Sequence, residues 1–187
     1  MTPIHAVACN RHLPAFGRPR TVRAMPNPGL DEPMSRCTVA LVVNGRPIEA
    51  DVPVWSTLAE LLRDRLQLIG TKVACNQAAC GACTVRLDGE AVFACHTLAW
   101  HAHGARVQSI EGEADSGALT PLQQAFVARD ALQCGFCTPG MVMALQAALD
   151  AGAHDRDALA RAISGNLCRC GAYEAILDAA CDVVAAR

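Results

Sequence analysis

Apolar and polar residues alternate over short stretches in one part of the chain and follow a helical period in another. Thr38 to Val43 is β-branched and apolar, Asn44-Gly45 is a strong hairpin turn, and Arg46 to Val52 reads as the returning strand. Thr57 and Glu60 form a capping box ahead of Leu58, Leu61, Leu62 and Leu66, whose spacing puts one apolar face on a helix. After a cysteine-bearing loop come strands at Thr84 to Leu87 and Ala91 to Ala94, joined at Asp88-Gly89, and one more near Arg106 to Ile110. Beyond Glu111-Gly112 the period turns helical. Thr120-Pro121 starts a helix that Gln123 helps to cap, and Thr138-Pro139 starts another that Gly152 stops. A third spans Arg156 to Ile163, and a fourth runs from Ala172 or Tyr173 towards the C-terminus. Leu122, Phe126, Leu145, Leu149, Leu159, Ile163, Ile176 and Val183 are the expected core of these helices.

The expected fold class is therefore α+β. Hairpin, helix, cysteine loop and hairpin, in that order, predict a β-grasp, ferredoxin-like domain over 36–112, followed by a four-helix-bundle domain over 113–187. Residues 1–35 differ from both. They carry Pro3, Pro14, Pro19, Pro26, Pro28 and Pro33, with Arg11, Arg18, Arg20 and Arg23 unopposed by an acid before Asp31, so a disordered extension is expected there. The best apolar run, Ala6 to Cys9, is too short for an export signal, and Pro19 separates Arg18 from Arg20. The expected location is cytoplasmic, with Met34 as an alternative start.

Composition narrows the function classes. The 187 residues are 52% hydrophobic and 18% charged with a net charge of -2, and basic residues form no stripe with interleaved aromatics. That argues against nucleic acid as a partner. No apolar run approaches the roughly 20 residues needed to cross a bilayer, so membrane insertion is not expected.

The chemistry lies in eight of the eleven cysteines. Cys75, Cys80, Cys83 and Cys95 read C-x4-C-x2-C-x11-C, the spacing with which plant-type ferredoxins hold a 2Fe-2S cluster. Cys134, Cys137, Cys168 and Cys170 read C-x2-C-x30-C-x-C, a second complete set. An odd total and closely spaced pairs argue against disulfides. Zinc is the competing metal, but the first triplet is not a zinc-finger spacing. The local charge also fits iron-sulfur chemistry better. A di-iron cluster with four thiolates carries a charge of about -2, so carboxylates nearby would oppose electron uptake. From Gly70 to Arg86 the charged residues are Lys72 and Arg86 alone, from Ala131 to Leu149 there are none, and beside Cys168 and Cys170 there is only Arg169.

The remaining candidates have plainer readings. Cys181 is expected as a buried apolar residue, Cys37 opens a strand and Cys9 lies in the extension. His96, His101 and His103 are not needed as ligands, because each quartet is already complete. Trp55, Trp100, Met141 and Met143 read as packing residues, and no C-x-x-C-H or glycine-rich nucleotide motif is present.

TKVACNQAACGACTVRLDGE followed by Cys95, and QCGFCTPGMVM followed by SGNLCRCGAY, resemble the iron-sulfur subunit of the molybdenum hydroxylases, the xanthine dehydrogenase and aldehyde oxidoreductase family. The resemblance covers about residues 37 to 182. It implies two 2Fe-2S clusters in an electron-transfer subunit, molybdopterin on a large partner subunit, and FAD on a medium partner or a cytochrome as the next acceptor. It further implies that Gln133 hydrogen-bonds the pterin with Cys170 beside it, and that current runs from molybdenum through the second quartet to the first. The chain departs from the family pattern at Ala74 and Ala78, where glycine is common, and at Gly171-Ala172-Tyr173. A free-standing two-cluster ferredoxin is the alternative reading, and a cysteine-rich zinc or regulatory module a third.

Overall fold

Asn44 (φ 49°) and Gly45 (φ 76°) both take the left-handed backbone that a two-residue hairpin turn demands. They join β2 (Arg36–Val43) to β3 (Arg46–Pro53), paired antiparallel from Arg36↔Pro53 to Val43↔Arg46. The computed structural model describes residues 20–21, 36–114 and 117–187. Apart from β1 (Arg20–Thr21), which pairs in parallel with Ile48 and Glu49 on the outer edge of β3, the expected disordered extension over 1–35 lies outside the described residues. β6 (Arg106–Gln108) runs parallel to β2, and β4 (Thr84–Leu87) is antiparallel to both β5 (Glu90–Phe93) and β6. The sheet order is β1-β3-β2-β6-β4-β5.

Alternation along β2 sends Val39, Leu41 and Val43 inward, where they meet Leu58, Leu61 and Leu62 in a first core. Leu58 sits on α1 (Leu58–Glu60), which starts at the expected Thr57–Glu60 capping box, and Leu61 and Leu62 follow it directly. The helix does not continue regularly as its spacing predicts. It widens into a π turn over Leu61–Arg65, with the Leu66 N–H reaching the Leu61 carbonyl. Arg63 on that turn donates to the carbonyls of Ile69 (3.0 Å) and Thr71 (2.7 Å), which ties the helix to the start of the cysteine loop.

The second core is helical. α2 (Pro121–Ala128) begins with the Thr120–Gln123 capping box and packs along α5 (Tyr173–Ala185); α3 (Thr138–Asp150) packs on α4 (Arg156–Ala162). All eight apolar residues expected in this core are buried in it. The architecture of the described residues is thus mixed, one sheet with five α-helices. α3 also lies against β4 and β5, which joins the two cores.

Arg86 on β4 closes that junction. Its guanidinium donates to Glu113 (2.6 Å) and to Asp150 at the end of α3. Burial pushes the Glu113 carboxyl above its ordinary 4.5, Arg86 pulls it down, and Asp150 adds to the rise. A raised folded-state pKa gives stability that is complete below the unfolded value and is lost as pH climbs through the folded one. Wild-type stability relative to Glu113→Gln is therefore expected to fall as pH rises from about 4.5, as read by urea unfolding of both proteins across that range. A difference that does not change with pH would contradict it.

Candidate metal centres

The loop between α1 and β4 is pinned before its first cysteine. Besides the two Arg63 bonds, Lys72 donates to the Ile69 carbonyl (2.8 Å), and Glu111 accepts from the Gly70 N–H (2.7 Å). The chain then folds tightly through left-handed backbone at Asn76 (φ 53°), Ala78 (φ 57°) and Gly81 (φ 67°). That curl turns peptide N–H groups towards sulfur. Gln77 and Ala79 donate to Cys75 Sγ at 3.4 and 3.3 Å, and Ala78 donates to Cys95 Sγ at 3.4 Å. The β4–β5 hairpin supplies the other two members of the quartet. With Thr84 opposite Phe93 and the Ala94 N–H bonded to the Cys83 carbonyl, Cys83 and Cys95 end side by side and buried.

Ala78 has a cost. A Cβ in the left-handed region is strained by about 1 kcal/mol relative to glycine. Of the two departures from glycine, Ala78 takes a positive φ and Ala74 does not. Ala78→Gly is expected to raise stability by up to about 1 kcal/mol in chemical unfolding; a loss of similar size would contradict the strain.

The second quartet sits where two helices begin. Cys137 is the N-cap of α3, and Cys168 and Cys170 lie in the turn that ends at Ala172, the N-cap of α5. Cys134 is exposed on the loop before α3. Two helix N-termini favour negative charge there. Thr138 carries a buried hydroxyl with no hydrogen-bond partner, next in sequence to Cys137. Gln133 Nε2 donates to the Cys170 carbonyl (3.3 Å), so the two residues singled out for a pterin contact are neighbours.

The thiols meet in pairs. Cys80 acts on the Cys75 thiol and Cys95 on Cys83, while Cys170 acts on Cys134 and Cys168 on Cys137. Among the described residues no three His, Cys, Asp or Glu side chains form a group able to hold a metal ion. Four thiolates are what a di-iron cluster needs, and each set would supply four from one or two neighbouring loops. N–H donors from Gln77 and Ala79 bring Cys75 down to about 7, whereas burial pushes Cys83 up to about 12. In the second set the Phe136 N–H and the Cys170 thiol lower Cys134, and burial raises Cys137 to about 12. Each set therefore pairs a thiol that gives up its proton more readily than usual with one that holds its proton more tightly and must lose it to bind metal. Donors to sulfur, an unpaired hydroxyl and the absence of acids in both loops fit a negatively charged cluster.

The loops touch each other. The Leu167 N–H donates to the Cys80 carbonyl (2.9 Å), and Asn166 Nδ2 donates to the Gly81 carbonyl (2.9 Å) and to Thr84 Oγ1 (3.1 Å). Gly81 permits this approach, because a Cβ there would lie 2.6 Å from the Gly165 carbonyl oxygen. Gly140 does the same for α3, where a Cβ would lie 2.5 Å from the Gly81 carbonyl oxygen. Sequence reasoning had no local signal for Asn166, Thr84 or Arg63, since their partners lie in other elements.

The other candidates fall outside both quartets. His103 Nδ1 accepts the Ala40 N–H (3.2 Å) and so extends the β2–β6 edge. Cys37 is half-buried at the first core and Cys181 at the second, where Arg156 approaches its sulfur at 4.0 Å. Trp55 and Trp100 are partly exposed rather than core residues.

A "2Fe-2S iron-sulfur cluster binding domain" family matches residues 41–109, and a "[2Fe-2S] binding domain" family matches residues 109–181. The chain is 46% identical over 151 residues to the caffeine dehydrogenase subunit gamma of Pseudomonas sp. (strain CBB1), covering 78% of this chain and 90% of that one. The chain belongs to the iron-sulfur subunits of the molybdenum hydroxylase family. It is 40% identical to the xanthine dehydrogenase iron-sulfur-binding subunit of Escherichia coli O157:H7, over 78% of this chain and 92% of the relative. Among solved structures, quinoline 2-oxidoreductase from Pseudomonas putida 86 matches with a TM-score of 0.77 at 39% identity, over 81% of this chain and 94% of its own. As an iron-sulfur subunit of this family, the protein carries two 2Fe-2S clusters and transfers electrons within a molybdenum-dependent oxidoreductase whose large partner holds the molybdopterin. This disfavours the free-standing ferredoxin. Among the described residues no helix is long and apolar enough to cross a membrane.

Proposed function

We propose that Cys75, Cys80, Cys83 and Cys95 hold one cluster in a β-grasp domain over 36–112, and that Cys134, Cys137, Cys168 and Cys170 hold the other in a four-helix domain over 113–187. The thiol pairing carries this reading, and the two family matches, which meet at residue 109, support the division. When bound, the two clusters supply one-electron storage in series, so a two-electron oxidation on the partner is drained one electron at a time. The chain's own residues insulate, orient and connect. Buried Cys83 and Cys95 and half-buried Cys137 keep water from one side of each centre, and the N–H groups of Gln77, Ala78 and Ala79 stabilise the thiolates.

The second centre faces the molybdopterin subunit. Cys134 is exposed there, Gln133 holds the Cys170 carbonyl, and Leu132, Phe136 and Leu167 present apolar surface around it. In this arrangement Gln133 and Cys170 are the pterin-side contacts. The first centre passes electrons on to FAD on a medium subunit, or to a cytochrome, in the cytoplasm. The order of transfer is molybdenum, second quartet, first quartet, acceptor.

The test is Cys168→Ser in the complex purified with its large partner. Turnover with an external acceptor should drop by more than about 100-fold while one of the two electron paramagnetic resonance signals persists. Turnover that is undiminished would overturn the assigned order. Cys181→Ser, outside both quartets, should keep both signals and change stability by less than about 1 kcal/mol.

A further inference from the structure

Asn166 is 4% exposed, and its amide spends its donors on the Gly81 carbonyl and the Thr84 hydroxyl, 85 and 82 residues away in sequence. The Gly81 carbonyl does not need this bond. It already accepts from the Thr84 N–H (3.1 Å) and the Thr84 hydroxyl (2.6 Å). What the amide adds is a connection between two loops. On its other side the Asn166 carbonyl accepts from the Tyr173 hydroxyl (3.2 Å), and that hydroxyl in turn accepts the Cys168 N–H (2.7 Å). Beside it, the Leu167 N–H reaches the Cys80 carbonyl (2.9 Å). One short segment thus runs from Cys80 and Gly81 of the first quartet's loop to Cys168 of the second, with Asn166 and Tyr173 as its side-chain fasteners.

We propose that Asn166 and Tyr173 are positioning residues that fix the separation of the two centres, and with it the rate of electron transfer between them. The inference rests on the ligand assignment above. The step is the passage of one electron: the second centre is oxidised by one and the first is reduced by one, with no bond made or broken and no proton moved. Electronic coupling decays steeply with distance and is better through a direct hydrogen bond than across a gap, so the Leu167–Cys80 bond is the contact to protect. A loose Asn166 would let that bond stretch. A buried amide left without its partners also costs free energy, which favours displacement of the whole segment.

The full-length subunit in its complex serves for the test, as wild type, Asn166→Ala, Tyr173→Phe, Thr84→Val and Thr84→Ser. Iron content and the two resonance signals are read first, then the rate of electron transfer between the centres after pulsed reduction, and hydrogen exchange at the Leu167 and Cys168 amides. Asn166→Ala, Tyr173→Phe and Thr84→Val should keep about four irons per chain, exchange faster at those amides, and transfer at least about tenfold more slowly. Thr84→Ser, which retains the hydroxyl, should keep the wild-type rate. Wild-type rates in iron-loaded Tyr173→Phe and Thr84→Val would overturn the proposal even if Asn166→Ala fails to load. Wild-type protein that holds no iron after reconstitution would sink the ligand assignment instead, a separate failure.

Discussion

Two backbone loops must come within hydrogen-bonding distance for this chain to work as one conductor, and only a residue without a side chain allows it. Gly81 is the point of contact. It is pressed between the start of α3, where Gly140 leaves room, and the Gly165-Asn166 turn that leads to Cys168. A methyl group at Gly81 would meet main-chain atoms of Gly165 and Asn166 together with the buried Asn166 side chain, so the loops would have to separate. The ion cluster of Arg86, Glu113 and Asp150 holds the same junction at its far end, which leaves the approach of the two cores little freedom.

Electrostatics explains why these loops and not others carry the cysteines. A cluster with four thiolates is negative before it accepts an electron and more so afterwards, so its surroundings must offer positive ends of dipoles without adding acid. The first loop does this by curling through left-handed residues, which points successive N–H groups at sulfur. The second uses the N-termini of α3 and α5. The one acid in the first turn of α5, Glu174, is held by Arg156.

Much of this was legible in the residues themselves. The Asn44-Gly45 turn and the capping boxes at Thr57 and Thr120 marked real element ends, and helical periodicity picked out the second core. Local signals are strong where one short stretch decides the outcome. They failed where tertiary contacts decide. The π turn after Glu60 follows from packing and from Arg63 reaching over to Thr71, neither of which a leucine spacing records. Asn166 looked like any turn residue, because its side chain's partners, Gly81 and Thr84, lie in another element far away in sequence. Ala78 kept its left-handed backbone despite its Cβ, because its N–H donates to Cys95 Sγ.

The central claim is that two paired-thiol sites each hold a di-iron cluster and lie back to back through Gly81. Fully reduced wild-type subunit, measured by electron paramagnetic resonance at low temperature, tests it most directly. Two distinct rhombic signals that broaden each other by magnetic interaction, with about four irons per chain, are the predicted result. A single signal, two signals without mutual interaction, or a spectrum free of iron-sulfur features would contradict it.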